Sequence, residues 1–216
     1  MTRETYVSAA AAYYERRLAQ FGATPGGVDW NSEASQRLRF DQLFRCVSPT
    51  WPSSIGSVND YGCGYGALAD YLDQQGFAGQ YRGYDASSKM IEAAARGQGG
   101  AMRRTFTSDR RALEPADLTV ASGVFNVKLQ APDDAWWDYI LETIADLVAV
   151  SRRAVAFNVL TTYSDPGRRR DDLFYADPMR LFTHCKTLSP FVVLHHDYPL
   201  YEFTIGVFLN GPNEQS

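Results

Sequence analysis

From Ile55 onward the chain alternates short apolar runs with amphipathic helical stretches, and that order restricts its fold more than any other feature. IGSVNDYG (55–62) precedes the helical ALADYLDQQG (67–76), QYRGYD (80–85) precedes SKMIEAAARG (88–97), and MRRTFTSD (102–109) and LTVASGVFNV (118–127) follow. A helix with Trp136, Ile140, Ile144 and Leu147 on one face then leads to AVAFNVL (154–160). Strands separated by helices pair in parallel, so this order predicts a parallel sheet with helices on both faces. The tail differs. A helix opened by Asp177 and Pro178 leads to FVVLHHD (191–197) and, after a few turn residues, YEFTIGVFL (201–209). So short a gap closes only an antiparallel hairpin.

Ahead of the alternation, Tyr6, Ala10, Tyr13, Tyr14, Arg17 and Phe21 recur at helical spacing, stopped by Gly22 and TPGG (24–27). A second helix follows WNSE (30–33), with Phe40, Leu43, Phe44 and Val47 on one face, and SPTWPSS (48–54) breaks it. Residues 1–54 are therefore expected to form a helical cap, and 55–216 one compact domain. The 216 residues suffice for a single core and are too few for two ordinary domains.

A formal charge of −4 leaves no global field for a polyanion, so nucleic acid would need a local patch. No apolar run reaches the ~18 to 20 residues of a bilayer span. Tyr13 to Arg17 stand where a signal peptide would be cleaved, so a cytoplasmic protein is expected. Cys46, Cys63 and Cys185 show neither a disulfide framework nor metal-ligand spacing, and no metal is expected. GRRRDD (167–172) reads as a solvated loop.

In an open parallel sheet ligands bind at the carboxyl ends of the strands, which directs attention to the first turn, DYGCGYG (60–66). Gly62, Gly64 and Gly66 permit a tight turn and close approach, ahead of a helix N-terminus with free amides. The spacing is GxGxG rather than the GxGxxG of dinucleotide enzymes, and Asp60 before it suits a cationic ligand. Asp85 ends the second strand 19 residues after Gly66, where a carboxylate accepts both hydroxyls of a ribose. Together these describe a nucleoside with a positive, non-phosphate tail.

At these residues the chain resembles the class I S-adenosylmethionine-dependent methyltransferases, DYGCGYG being similar to their first motif and GYDASSKMIEAA (83–94) to their second. The resemblance spans roughly residues 55 to 209. It implies a Rossmann-like, seven-stranded, mostly parallel sheet ending in an antiparallel hairpin, with S-adenosylmethionine as cofactor and S-adenosylhomocysteine as product. It places Asp60, Gly62 and Gly64 along the methionine portion, Asp85 on the ribose, Ala86 beside the adenine ring and Asp109 near the adenine amine. Ser122, Gly123, Val124, Phe125 and Asn126 would border the sulfonium and the substrate. No [DNS]PP[YFW] follows the fourth strand, which disfavours amide methylation of that style.

Tyr13 and Tyr14 either close over the cofactor, Tyr14 at the cofactor and Tyr13 nearer the substrate, or pack on the sheet. Trp30, Gln36 and Arg39 lead toward the first strand, with Arg39 meeting a carboxylate or standing at the surface. Asn158, Thr161, Tyr163 and Asp165 follow the fifth strand as substrate contacts, Tyr163 foremost. His184, His195 and His196 read as structural, and no catalytic base emerges. The reading is methyl transfer to an oxygen or nitrogen of a small-molecule acceptor by a monomer or homodimer. Two alternatives stand beside it. One is a protein or RNA methyltransferase with Arg103, Arg104 and Arg168 to Arg170 as a basic rim. The other is a non-catalytic regulatory partner that binds the cofactor. The absence of a YxxxK pair disfavours a nicotinamide enzyme.

Overall fold

The computed structural model describes residues 2–47, 54–96 and 103–210; the expected break at 48–54 lies, apart from Ser54, outside them. Seven strands, β1 (Ser57–Tyr61), β2 (Gln80–Tyr84), β3 (Arg103–Thr107), β4 (Ala116–Ala121), β5 (Ser151–Leu160), β6 (Phe191–His195) and β7 (Glu202–Phe208), form one sheet in the order β3-β2-β1-β4-β5-β7-β6. β1 to β5 pair in parallel, and β7 runs antiparallel to both β5 and β6. This is the mostly parallel Rossmann-like sheet with the expected terminal hairpin.

The helices are α1 (Arg3–Phe21), α2 (Glu33–Val47), α3 (Ala67–Gln74), α4 (Ser88–Arg96), α5 (Asp133–Ala149) and α6 (Pro178–Leu188). α6 starts as its sequence dictates: the Asp177 carboxylate accepts the N–H groups of Met179 and Arg180 at 2.8 and 3.1 Å, and Pro178 needs no donor at the first position.

Every residue of β1 is buried, as a strand covered on both faces requires. The two faces feed two cores, and β5 serves both by alternation. Val155, Phe157 and Val159 join Trp136, Ile140 and Ile144 of α5, and Leu181 of α6. Ala154 and Ala156 join Leu43 and Phe44 of α2 with Leu68 and Leu72 of α3. Of the expected cap, α2 lies flat on the sheet across β5, β6 and β7. Gly206 permits this, since a Cβ there would come within 2.9 Å of the Cys46 sulfur. α1 instead packs on the 3₁₀ turn Pro25–Val28 and on α4.

Candidate functional site

The turn after β1 is built from glycines because its backbone enters the left-handed region three times, at Gly62 (φ 82°), Gly64 (54°) and Gly66 (89°). The Gly62 and Cys63 N–H groups both donate to the Tyr84 carbonyl, at 2.7 and 2.9 Å, which ties the turn to the end of β2. A Cβ on Gly62 would fall 2.4 Å from the Val124 side chain, so only glycine leaves room there. No side chain caps α3 after Gly66; of its first amides, the Ala69 N–H donates to the Gly66 carbonyl at 3.0 Å.

The Asp85 carboxylate accepts the Gly64 N–H at 3.0 Å through Oδ2 and the Ser87 N–H at 2.9 Å through Oδ1. Burial pushes this carboxyl up to about 6, against the pull of those two donors. Ser87 accepts the Met90 N–H at 3.2 Å at the start of α4 and donates to Glu15 of α1 at 3.0 Å, so the same corner anchors the helix above it.

A cleft of about 720 Å³, open to solvent at its mouth, runs along the carboxyl edge beneath α1 and Val28–Trp30. Of the expected residues, Gly62, Gly64, Asp85, Ala86, Ser122, Gly123 and Tyr14 line it. A smaller lobe of about 330 Å³ continues over the glycine turn, bounded by Asp60, Cys63, Tyr65 and Gln36. Asp60 is 2% exposed, accepts the Tyr81 hydroxyl at 2.6 Å, and is pushed up to about 7, chiefly by burial.

Other expected residues stand elsewhere. Asp109 is exposed and accepts the Arg111 N–H at 3.0 Å, capping its own short turn. Asn126 is buried, its Oδ1 accepting the Leu160 N–H at 3.2 Å. Tyr163 is 71% exposed with its ring on His196. The Tyr13 hydroxyl donates to Asp29 at 2.7 Å, at the rim. Asn158 accepts the Gly123 N–H at 2.9 Å and donates to Ser122 at 3.0 Å, bracing the β4 loop from behind. Asp165 accepts the Tyr201 hydroxyl, and the side chain of buried Thr161 accepts the Tyr163 N–H at 3.2 Å.

Trp30 and Val124, also expected, line it too, and sequence reasoning missed Val28, Tyr61, Tyr84, Met90 and Tyr139 in the lining. Tyr61 and Tyr84 pair in register at the ends of β1 and β2, with ring centroids 4.8 Å apart. Their positions immediately before Gly62 and Asp85 were a usable signal. Val28 and Tyr139 carried none. Asp29 also accepts Arg17 at 3.2 Å and Arg170 at 3.0 Å, and Arg170 bonds Asp172 at 2.6 Å. The GRRRDD run is thus tied in part to the roof of the cleft.

Among the described residues no group of side chains is arranged to hold a metal, and no helix is long and apolar enough to cross a membrane. A sheet of this order with a glycine turn after β1 and an acidic end to β2 defines a class of nucleoside-cofactor α/β proteins. Residues 59–134 match the family model described as a methyltransferase domain. Over 150 residues the chain is 51% identical to a Mycobacterium tuberculosis protein named as a candidate methyltransferase, Rv1506c, covering 69% of this chain and 90% of that one. The chain belongs to the class I S-adenosylmethionine-dependent methyltransferase family.

Solved structures share the fold. Magnesium protoporphyrin IX methyltransferase from Synechocystis, with bound S-adenosylhomocysteine (SAH), aligns over 96% of this chain and 97% of its own, at TM-score 0.59 and 14% identity. The plantazolicin methyltransferase BpumL in complex with SAH aligns over 96% and 99%, at TM-score 0.62 and 10% identity. A DhpI–SAH complex aligns over 96% and 98%, at TM-score 0.60 and 16% identity.

Proposed function

We propose that this methyltransferase acts on an oxygen or nitrogen of a small-molecule acceptor, with S-adenosylmethionine held along the cleft from Asp85 to Asp60. The carrying observation is the cleft itself. A roofed slot with a carboxylate at one strand end, a second carboxylate at the next, and a glycine cradle between them fits a nucleoside joined to a cationic amino-acid tail.

The residues present fit that cofactor. Gly64 leaves a gap that a Cβ would narrow to 3.2 Å from Val28, and Asp85 lines the cleft with two oxygens. Asp85 would accept the ribose hydroxyls, Ala86 would flank the adenine, and the α3 amides with Asp60 would face the amino-acid end. Bound S-adenosylmethionine supplies a sulfonium-borne methyl group for in-line displacement by a nucleophile. The chain's part is alignment. The titratable groups lining the main cleft are Asp85 and the tyrosines Tyr14, Tyr61, Tyr84 and Tyr139. Burial raises all four hydroxyls, Tyr84 to about 12, so these side chains stay protonated near neutral pH.

A small acceptor is favoured over RNA because much of the candidate basic rim is already engaged within the chain. Arg104 pairs with Asp70 and Asp73, Arg170 with Asp29 and Asp172, and Arg169 donates to the Thr162 and Ser164 carbonyls. The test is calorimetric titration with S-adenosylmethionine, SAH and NADH, followed by transfer of labelled methyl to small-molecule, RNA and protein fractions. Binding of the first two with label in the small-molecule fraction supports the proposal. NADH binding alone, or label only in RNA or protein, overturns it.

A further inference from the structure

Trp30 reaches the cleft from the turn that follows the roof helix, and its indole lies on the β4 loop. A Cβ at Gly123 would stand 3.2 Å from its Cζ2 and 3.3 Å from its Nε1, so glycine there admits the ring. Phe40 tilts against it with centroids 5.9 Å apart, and the Arg39 guanidinium stands 4.8 Å from the indole centroid.

Arg39 is itself held. Its Nε lies 2.9 Å from each carboxylate oxygen of Glu202, its Nη2 lies 2.5 Å from Oε1, and its Nη1 donates to the Ser35 carbonyl at 3.1 Å. Arg39 is 9% exposed and Glu202 1%. Buried ion pairs are often matched in stability by apolar residues of the same volume, because two charges must be taken out of water. A paired guanidinium offers something an apolar residue does not: a flat, oriented plate behind an indole, with its charge cancelled at the source.

The position gives that arrangement a use. Val28, Trp30, Gly62, Gly64 and Ser122 line both the main cleft and the smaller lobe. With the ribose at Asp85 and the amino-acid end at Asp60, the sulfur that joins them would fall at this waist. Among the described residues Trp30 brings the one aromatic ring there. A bare Arg39 behind the indole would repel a sulfonium. Neutralised by Glu202, it would let the indole attract one.

We infer that Trp30 is the wall facing the sulfonium, and that the Arg39–Glu202 pair positions it while presenting no net charge, so that the site favours the cationic cofactor over its neutral product. The inference rests on the cofactor reading above and goes beyond it in assigning Trp30, Arg39 and Glu202.

The experiment compares dissociation constants for S-adenosylmethionine and SAH, by calorimetry, in the wild type, Trp30→Leu, Trp30→Phe and Glu202→Gln, each checked by circular dichroism and melting. Trp30→Leu is expected to weaken S-adenosylmethionine about 5- to 30-fold more than SAH, while Trp30→Phe keeps the ratio within about threefold. Glu202→Gln, which bares the Arg39 charge, shifts the ratio in the same direction as Trp30→Leu. Should Trp30→Leu not fold, Glu202→Gln decides. Equal weakening of both ligands would mark a packing role and overturn the inference, as would an unchanged ratio. A wild type that binds neither ligand sinks the cofactor reading and this inference together. A wild type that binds both, with a ratio the variants do not move, sinks this inference alone.

Discussion

Replacing Asp85 with Asn is expected to weaken cofactor binding without destabilising the empty protein, because one carboxylate acts with opposite sign in the two states. Its oxygens accept the Gly64 and Ser87 N–H groups at 3.0 and 2.9 Å and line the cleft. Asn keeps one acceptor and turns a donor toward the other partner, so a ribose hydroxyl loses its charged acceptor. Such a bond contributes about 1.5 to 3 kcal/mol, which corresponds to about a 10- to 150-fold loss of affinity.

In the empty protein the balance reverses. Burial raises the carboxyl to about 6 from an ordinary value near ~4, so keeping it ionised at neutral pH costs up to about 3 kcal/mol, less what its opening to the cleft returns. Asn avoids that cost and gives back a comparable amount at the unpaired backbone donor. The sign follows from proton counting: between about pH 4 and 6 the folded state holds a proton that the unfolded chain has released, so wild-type stability from this group falls as pH rises. Cofactor affinity rises over the same window, because the ionised form accepts the hydroxyls. SAH calorimetry and thermal melts from about pH 4 to 8 measure both. Affinity retained within about threefold in Asp85→Asn would refute the reasoning, and so would identical melting slopes for the two proteins. Asp60 is pushed up to about 7 chiefly by burial and in part by the Asp85 charge, so its own slope moves to lower pH in the variant, and Asp60→Asn in both backgrounds separates the two groups.

Gly62→Ala forces a Cβ to 2.4 Å from Val124 at a φ of 82° and is expected to lose about 2 to 4 kcal/mol in denaturant unfolding. A loss under about 0.5 kcal/mol would mean that the turn relaxes freely. Asp29→Asn keeps the left-handed φ of 60° and removes the charge that faces Arg17 and Arg170, so SAH should dissociate about 3- to 10-fold faster in stopped-flow displacement. An unchanged rate would show that this contact does not hold the roof. Asp109→Ala should leave the SAH dissociation constant within about twofold, since the carboxylate caps its own turn. A tenfold loss would bring it into the site.

The parallel order was legible because each segment signals its own period, and the level of Asp85 with the glycine turn followed from strands that run in register, Asp60 opposite Gly83. Contacts made only through space left no such trace. Arg39 and Glu202 are far apart in sequence, and nothing near Arg39 distinguishes a buried pair from a surface guanidinium. Arg170 sits in a run whose local composition describes a solvated loop, yet it meets Asp29 across the cleft mouth. Asp109 shows the converse case. A backbone N–H two residues on lies within reach of its side chain, and that local partner claims the carboxylate.

The two helices expected as one cap are held by different forces, and this decides which of them can admit a ligand. α2 presses Leu43, Phe44 and Val47 onto the sheet, so lifting it would expose a continuous apolar face. α1 has one buried residue, Tyr6. Val7 packs partly buried on the same core, and the helix is otherwise tied by polar contacts: Arg3 to Asp146 on α5, Glu15 to Ser87 and Lys89 at α4, and Tyr13 and Arg17 to Asp29. Partly exposed pairs of this kind each contribute about 0 to 1 kcal/mol, so the roof can open at small cost while the sheet and α2 keep the floor of the cleft assembled. Asp29 lies between Val28 and Trp30, which line the cleft, and it also accepts Arg170 from the segment after β5. The Asp29 carboxylate thus ties the roof of the cleft to that segment.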